Sequence, residues 1–128
     1  MKNIPVDFYY TEEHLWLHID DDDIATVGIT HFAQTQLGDV VFVELPELNS
    51  EISAGAEISV VESVKTASDI HAPVSGEVIA INDDLKDSPE IINTSPYDKG
   101  WVLKIRMSDT SELEELLSAT EYADHCGA

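Results

Sequence analysis

Cysteine is almost absent from the sequence, and the single one, Cys126, falls in a polar C-terminal stretch. No internal disulfide is possible, and a reducing compartment is expected. Cations are nearly as scarce: 6 Lys and Arg stand against 26 Asp and Glu, a formal net charge of -20. Nucleic acid and anionic membrane surfaces would repel such a chain, so both are excluded as partners, whereas a basic docking face on another protein suits it. No apolar run approaches the roughly 20 residues that a bilayer-spanning helix requires. The opening Met1-Lys2-Asn3-Ile4-Pro5 has neither the apolar core of a secretion signal nor the Arg-rich pattern of a transit peptide. A bacterial cytoplasm is the expected setting, ahead of a mitochondrial matrix. There is no GxSxG elbow, no Gly-rich phosphate loop and no HExxH pair, which leaves a hydrolase, a nucleotide enzyme or a zinc site without support. Asp20 to Asp23 lacks the central Gly and terminal Glu of a calcium loop and reads as a solvated turn.

What is present suffices for one domain. A chain of 128 residues that is 43% apolar can enclose one core and is too short for two. Leu15, Leu17 and Ile19 alternate with His14, Trp16 and His18, and Ile24 to Ile29 continues in β-branched residues, which predicts a hairpin. Thr30 can cap a short helix over His31 to Leu37 that Gly38 closes. Val40 to Leu45, stopped by Pro46, reads as a buried strand. Ile58 to Val64, Asp69 to Ala72 and Glu77 to Ile81 follow as short strands, with Pro73 to Gly76 as a turn. Pro89, Asn93, Ser95, Pro96 and Gly100 mark an irregular connection before a half-buried strand over Trp101 to Met107. Ser111 with Glu114, and Ser118 with Glu121, have capping-box spacing, so the chain is expected to end in two short helical pieces. The expected fold is mainly β: a small sandwich or flattened barrel with short peripheral helices and a short C-terminal helix.

Glu62-Ser63-Val64-Lys65-Thr66-Ala67-Ser68-Asp69 joins two of these strands, and Lys65 is the only cation between Lys2 and Lys86. A lysine at a tight turn projects outward, and its four-carbon stem presents the ε-amine clear of the backbone as an acceptor for acylation. Taken alone, an exposed lysine does no more than aid solubility. Its surroundings say more. The segment around Lys65, followed by Ala72-Pro-Val-Ser-Gly76-Glu-Val78, resembles the swinging-arm domains that carry lipoyl or biotinyl groups. A biotin carrier is expected to show Met on both sides of the lysine, where this chain has Val64 and Thr66. With Leu37-Gly-Asp-Val-Val-Phe-Val-Glu-Leu-Pro46, Asn93, Pro96-Tyr97, Gly100-Trp101 and Ala119-Thr-Glu-Tyr122 in order, the chain resembles the glycine cleavage H-protein family from about Tyr9 to Tyr122.

That resemblance implies a single lipoyl-carrier domain over residues 1–128, a lipoyl-domain-like hybrid that is not itself an enzyme. Lipoate would be amide-linked to Lys65, with Glu62, Ser63, Val64, Thr66 and Asp69 as the surrounding site and no metal. The implied partners are a pyridoxal phosphate-dependent glycine decarboxylase, a folate-dependent aminomethyltransferase, a flavin-dependent dihydrolipoyl dehydrogenase and a lipoate-attaching enzyme. The carrier would be a monomer when free, its arm of roughly 14 Å reaching several active sites in turn. A lipoyl carrier for another complex, a lipoate relay and an unmodified binding or regulatory homologue are the competing readings. One position departs from the family. The usual His-Glu-Trp near the start, whose Glu is proposed to meet the ammonium of the loaded arm, here reads His14-Leu15-Trp16. Leu15, in phase with Leu17 and Ile19, is expected to extend an apolar strand face, and Glu12 or Glu13 is near enough in sequence to substitute.

Overall fold

The computed structural model describes residues 4–20 and 22–126, and Asp21 of the acidic turn lies outside the described residues, as do Met1 to Asn3. Among the described residues, nine strands fall into two antiparallel sheets, which do not close into a barrel. The larger sheet begins with β1 (Tyr9–Tyr10), β2 (Leu15–Ile19) and β3 (Ile24–Ile29). The hairpin between β2 and β3 turns on Asp20. Its Oδ1 accepts from the backbone N–H groups of Asp22 at 2.9 Å and Ile24 at 3.0 Å, and Asp23 takes a φ of 62°. An aspartate that holds the amides after it makes such a turn without glycine.

Thr30 then caps α1 (His31–Leu37), accepting from Ala33 N–H, and Gly38 follows at a φ of 80°. The second sheet consists of β4 (Val40–Glu44), β6 (Glu57–Ser63) and β7 (Ala67–His71), in the order β4-β6-β7. Between β4 and β6, the short β5 (Glu51–Ile52) returns to the larger sheet and pairs with β8 (Gly76–Ile81). Two single-turn helices, α2 (Asp84–Asp87) and α3 (Ile91–Thr94), occupy the irregular connection. After β9 (Leu103–Met107) and a 3-10 turn over Thr110–Glu115, α4 (Ala119–His125) ends the description. The larger sheet runs β1-β2-β3-β9-β8-β5. The core lies between the sheets, built from residues such as Leu17, Val27, Val61, Val78, Leu103 and Ile105.

Two expectations need correction. The run Val40 to Leu45 is not uniformly buried: Val40 and Val43 face the core, but Val41 is 54% and Phe42 50% exposed. A register shift between Val40 and Phe42 breaks the alternation, so two adjacent side chains face outward. Nor does Ser111 cap a helix with Glu114. Asp109 sits one turn earlier and accepts from Ser111 N–H, and the segment winds as a 3-10 turn. The box at Ser118 and Glu121 forms in full at the start of α4.

Candidate functional site

Lys65 lies at the tip of the β6-β7 hairpin. The last strand pair is Glu62 with Ala67, and Ser63 N–H donates to Thr66 O at 2.8 Å, which leaves Val64 and Lys65 as the central turn residues. Ser63 Oγ accepts from the backbone N–H groups of Lys65 and Thr66, each at 3.2 Å, so the serine shapes the turn from within. Neither central residue needs positive φ, and a valine and a lysine stand where many hairpins require glycine. From Val64 to Asp69 every residue is exposed, and among the described residues no ion pair involves Lys65.

The base of the tip is held from the side. Val64 N–H donates to Asp39 O at 3.0 Å, which anchors the hairpin to the corner between α1 and β4. Asn93 on α3 fixes that corner: its Nδ2 donates to Gly38 O at 2.9 Å and to Gln34 Oε1 at 3.0 Å, and its Oδ1 accepts from Val40 N–H at 2.9 Å. Gly38 is favoured by its φ of 80°, which disfavours a side chain, and the lysine stem lies across it, with Lys65 Cε 3.2 Å from where a Cβ would stand.

Beside the hairpin opens a cleft of about 240 Å³. Leu15, Ile29, Ala33, Leu37, Val61 and Ile70 give it apolar walls, and Glu13, His14, Gln36, Thr66, Ser68 and Asp69 give it polar ones. Leu15 is 3% exposed and belongs to the core cluster, so the side chain in the family's glutamate position is part of the apolar wall. Glu13 comes from the turn before β2, and its Oε1 lies 2.9 Å from His71 Nδ1. His14, at a φ of 70°, places Nδ1 2.7 Å from the Tyr122 hydroxyl, which is in turn 2.7 Å from Thr30 Oγ1. Burial, and then the neighbouring His125, push the His14 imidazole below its ordinary pKa. Burial also raises Tyr122, so its phenol stays protonated. A His14 ring biased toward its neutral form, the protonated Tyr122 phenol and the Thr30 hydroxyl thus form one continuous hydrogen-bonded chain.

Of the residues expected around Lys65, Thr66 and Asp69 line this cleft, Ser63 builds the turn, and Glu62 and Val64 lie on the outer surface. Sequence reasoning did not single out Asn93, Gln36 or Leu37 as site residues. Leu37 and Asn93 did belong to the blocks that carry the family resemblance, but strand and helix periodicity say nothing about a side chain that ties three elements at one corner. Glu12, one of the two carboxylates near Leu15, does not line the cleft, whereas Glu13 does.

Comparison with known proteins agrees with this architecture. The family described as "Glycine cleavage H-protein" matches residues 8–128. The chain is similar to the glycine cleavage system H protein of Escherichia coli O45:K1 (strain S88 / ExPEC), with 57% identity over 122 residues covering 95% of each chain. Its similarity to the protein of that name from Salmonella typhimurium (strain LT2) has the same extent, 57% identity and 95% coverage on both sides. Among solved structures, the crystal structure of a glycine cleavage system H protein from Mycobacterium marinum superposes with a TM-score of 0.91 at 42% identity, covering 98% of this chain and all (100%) of that one.

Proposed function

Because the chain belongs to the glycine cleavage H-protein family, and so is a lipoyl carrier of the glycine cleavage system, we propose that Lys65 is the attachment point for lipoate and the cleft beside it the resting place of the arm. The observation that carries this reading is a solvent-exposed lysine, without an ion-pair partner among the described residues, on a rigid hairpin at the edge of an apolar cleft. The residues fit the group. Acylation removes the lysine's charge, which costs little at an exposed tip, and apolar walls suit a chain of methylenes.

Attached there, lipoate would supply the reducible disulfide chemistry for carrying an aminomethyl group; the carrier's own side chains only hold and shield. Leu15, Leu37 and Ile70 keep water from the cleft, and Glu13 and Asp69 put negative charge at its rim, where a cationic cargo is stabilised. Glu13 thus takes the place of the glutamate that Leu15 has displaced. His71 holds the Glu13 carboxylate in position. Around the chain work a pyridoxal phosphate-dependent glycine decarboxylase, an aminomethyltransferase, dihydrolipoyl dehydrogenase and a lipoate-attaching enzyme, and the chain serves them as a non-catalytic, monomeric carrier. A bacterial cytoplasm suits this role and the bacterial relatives. Among the described residues no helix is long and apolar enough to cross a membrane.

The test is mass spectrometry of protein produced with lipoate available. The peptide containing Lys65 should gain the mass of one lipoyl amide, and no other peptide should. An unmodified Lys65 under conditions that modify a control carrier would sink the proposal.

A further inference from the structure

Three large apolar side chains stand exposed around the base of the lysine: Val41 at 54%, Phe42 at 50% and Val64 at 67%. They share one corner. Val64 N–H bonds Asp39 O, which sets Val64 beside the start of β4, and Phe42 lies opposite Glu62 in the β4-β6 register. The same face continues along β4 and β6, with Phe42 opposite Glu62 in one row and Glu44 opposite Val60 in the next. Apolar and acidic side chains therefore alternate on this outer face, and Asp39, Glu44 and Glu62 are all exposed. The register shift between Val40 and Phe42 is what turns adjacent apolar residues outward, and clustered exposed apolar surface with a charged rim marks a place of contact.

The position of the patch selects its partner. An enzyme that serves the far end of the arm works roughly 14 Å from the lysine Cα and has no need to grip the hairpin base. The enzyme that builds the amide must bring Nζ itself, only about 6 Å from its Cα, onto an activated acyl carbonyl, so its surface has to close around the turn. The lysine stem already lies over Gly38, the residue before Asp39. Resting on the assignment of Lys65 as the acylated residue, we infer that Val41, Phe42 and Val64 are the recognition surface for the lipoate-attaching enzyme, which meets them with an apolar recess bordered by Lys and Arg. In the reaction it aligns, the neutral ε-amine attacks the carbonyl of an activated lipoyl ester. The C–N bond forms, the bond from that carbonyl to the leaving group breaks, and the surplus amine proton passes to solvent, with no redox change.

The inference is tested with purified unmodified protein, lipoate, ATP and an ATP-dependent lipoate-attaching enzyme. For the double variant Val41→Ser, Phe42→Ser, KM for the carrier should rise about tenfold with kcat within about twofold, the pattern of lost binding. Added salt should raise the wild-type KM in the same assay. The double variant, once fully lipoylated with excess enzyme, should be reduced by NADH through dihydrolipoyl dehydrogenase at the wild-type rate. An unchanged KM would overturn the inference and leave Lys65 as the attachment point. Equal losses in both assays would also overturn it, because the patch would then not be specific to the attaching enzyme. If the double variant melts early, Val64→Ser, at the exposed turn, replaces it with the same expected rise in KM. Wild-type protein that never acquires lipoate would overturn the proposed function as well, and so separates the two failures.

Discussion

Two regions of this molecule are built on opposite terms. In one, the β6-β7 hairpin exposes every residue from Val64 to Asp69 and is held through its backbone and one asparagine-fixed corner. In the other, aromatic side chains bind the two ends of the described chain together. Tyr10 and Tyr122 stack with ring centroids 4.7 Å apart and planes 9° from parallel, Trp16 Nε1 donates to Pro96 O at 2.8 Å, and Tyr10 and Leu117 exchange backbone hydrogen bonds. Tyr10 and Tyr122 are fully buried, and Trp16 nearly so. On the proposed reading, the hairpin holds the group that is offered to partner enzymes, and it stands where it contributes little to folding. Stability is supplied elsewhere, and the two properties should be separable by substitution.

The sharpest break in that comparison is Lys65→Arg. The guanidinium keeps the charge but is not an acylable amine, so lipoyl attachment, read by intact mass, should vanish completely while stability stays within about 0.5 kcal/mol of wild type in denaturant titration. A large loss of stability would mean that the hairpin tip carries structural weight. In the aromatic region, Tyr122→Ala removes a fully buried ring and the partner of both His14 and Thr30. It should cost about 3–5 kcal/mol by the same titration, yet whatever remains folded should still accept lipoate.

A smaller effect is expected from Gly28→Ala on β3. Gly28 lies opposite Trp16, and a Cβ there would meet three atoms of the indole at 2.7 Å. The ring is wedged in the aromatic cluster and bonded to Pro96, so it cannot step aside freely, and overpacking of about 1–3 kcal/mol follows. A change below about 0.5 kcal/mol would show that the indole can shift after all.

Sequence reading succeeded where one element's periodicity decided the matter and failed where two elements met. The β2-β3 hairpin, α1 with its Thr30 cap, and the Ser118 box were legible because alternation, caps and turn residues act within a few positions. The two-residue strands β1 and β5 were not, since neither is long enough to show a period; each exists only because a longer strand offers it an edge. The outward turn of Val41 and Phe42 was hidden for a related reason: the apolar run is continuous, and only the register against β6 says which side chains leave the core. The proposal that Lys65 is the modified residue comes from the family resemblance, not from composition. The cleft was not, because Glu13, Gln36 and Asp69 come from a turn, a helix and a strand far apart in the chain.

The smallest predicted effect lies at a residue that links the two regions, because His14 lines the cleft and also bonds Tyr122. Burial first, and then repulsion from His125, depress its folded pKa, so the native state favours the neutral ring. The stability this confers is fully present above the unfolded value of about 6.5 and is lost as pH falls through the lower folded value. Acidification has an opposing general effect, since it relieves the self-repulsion of a chain with net charge -20. The informative quantity is therefore a difference between two proteins. Asparagine tolerates the φ of 70° at this position but does not titrate, so wild-type stability relative to His14→Asn should decline between about pH 7 and pH 5. A difference that stays constant across that range would mean that the imidazole is not held neutral, and that the link between the aromatic region and the cleft is packing alone.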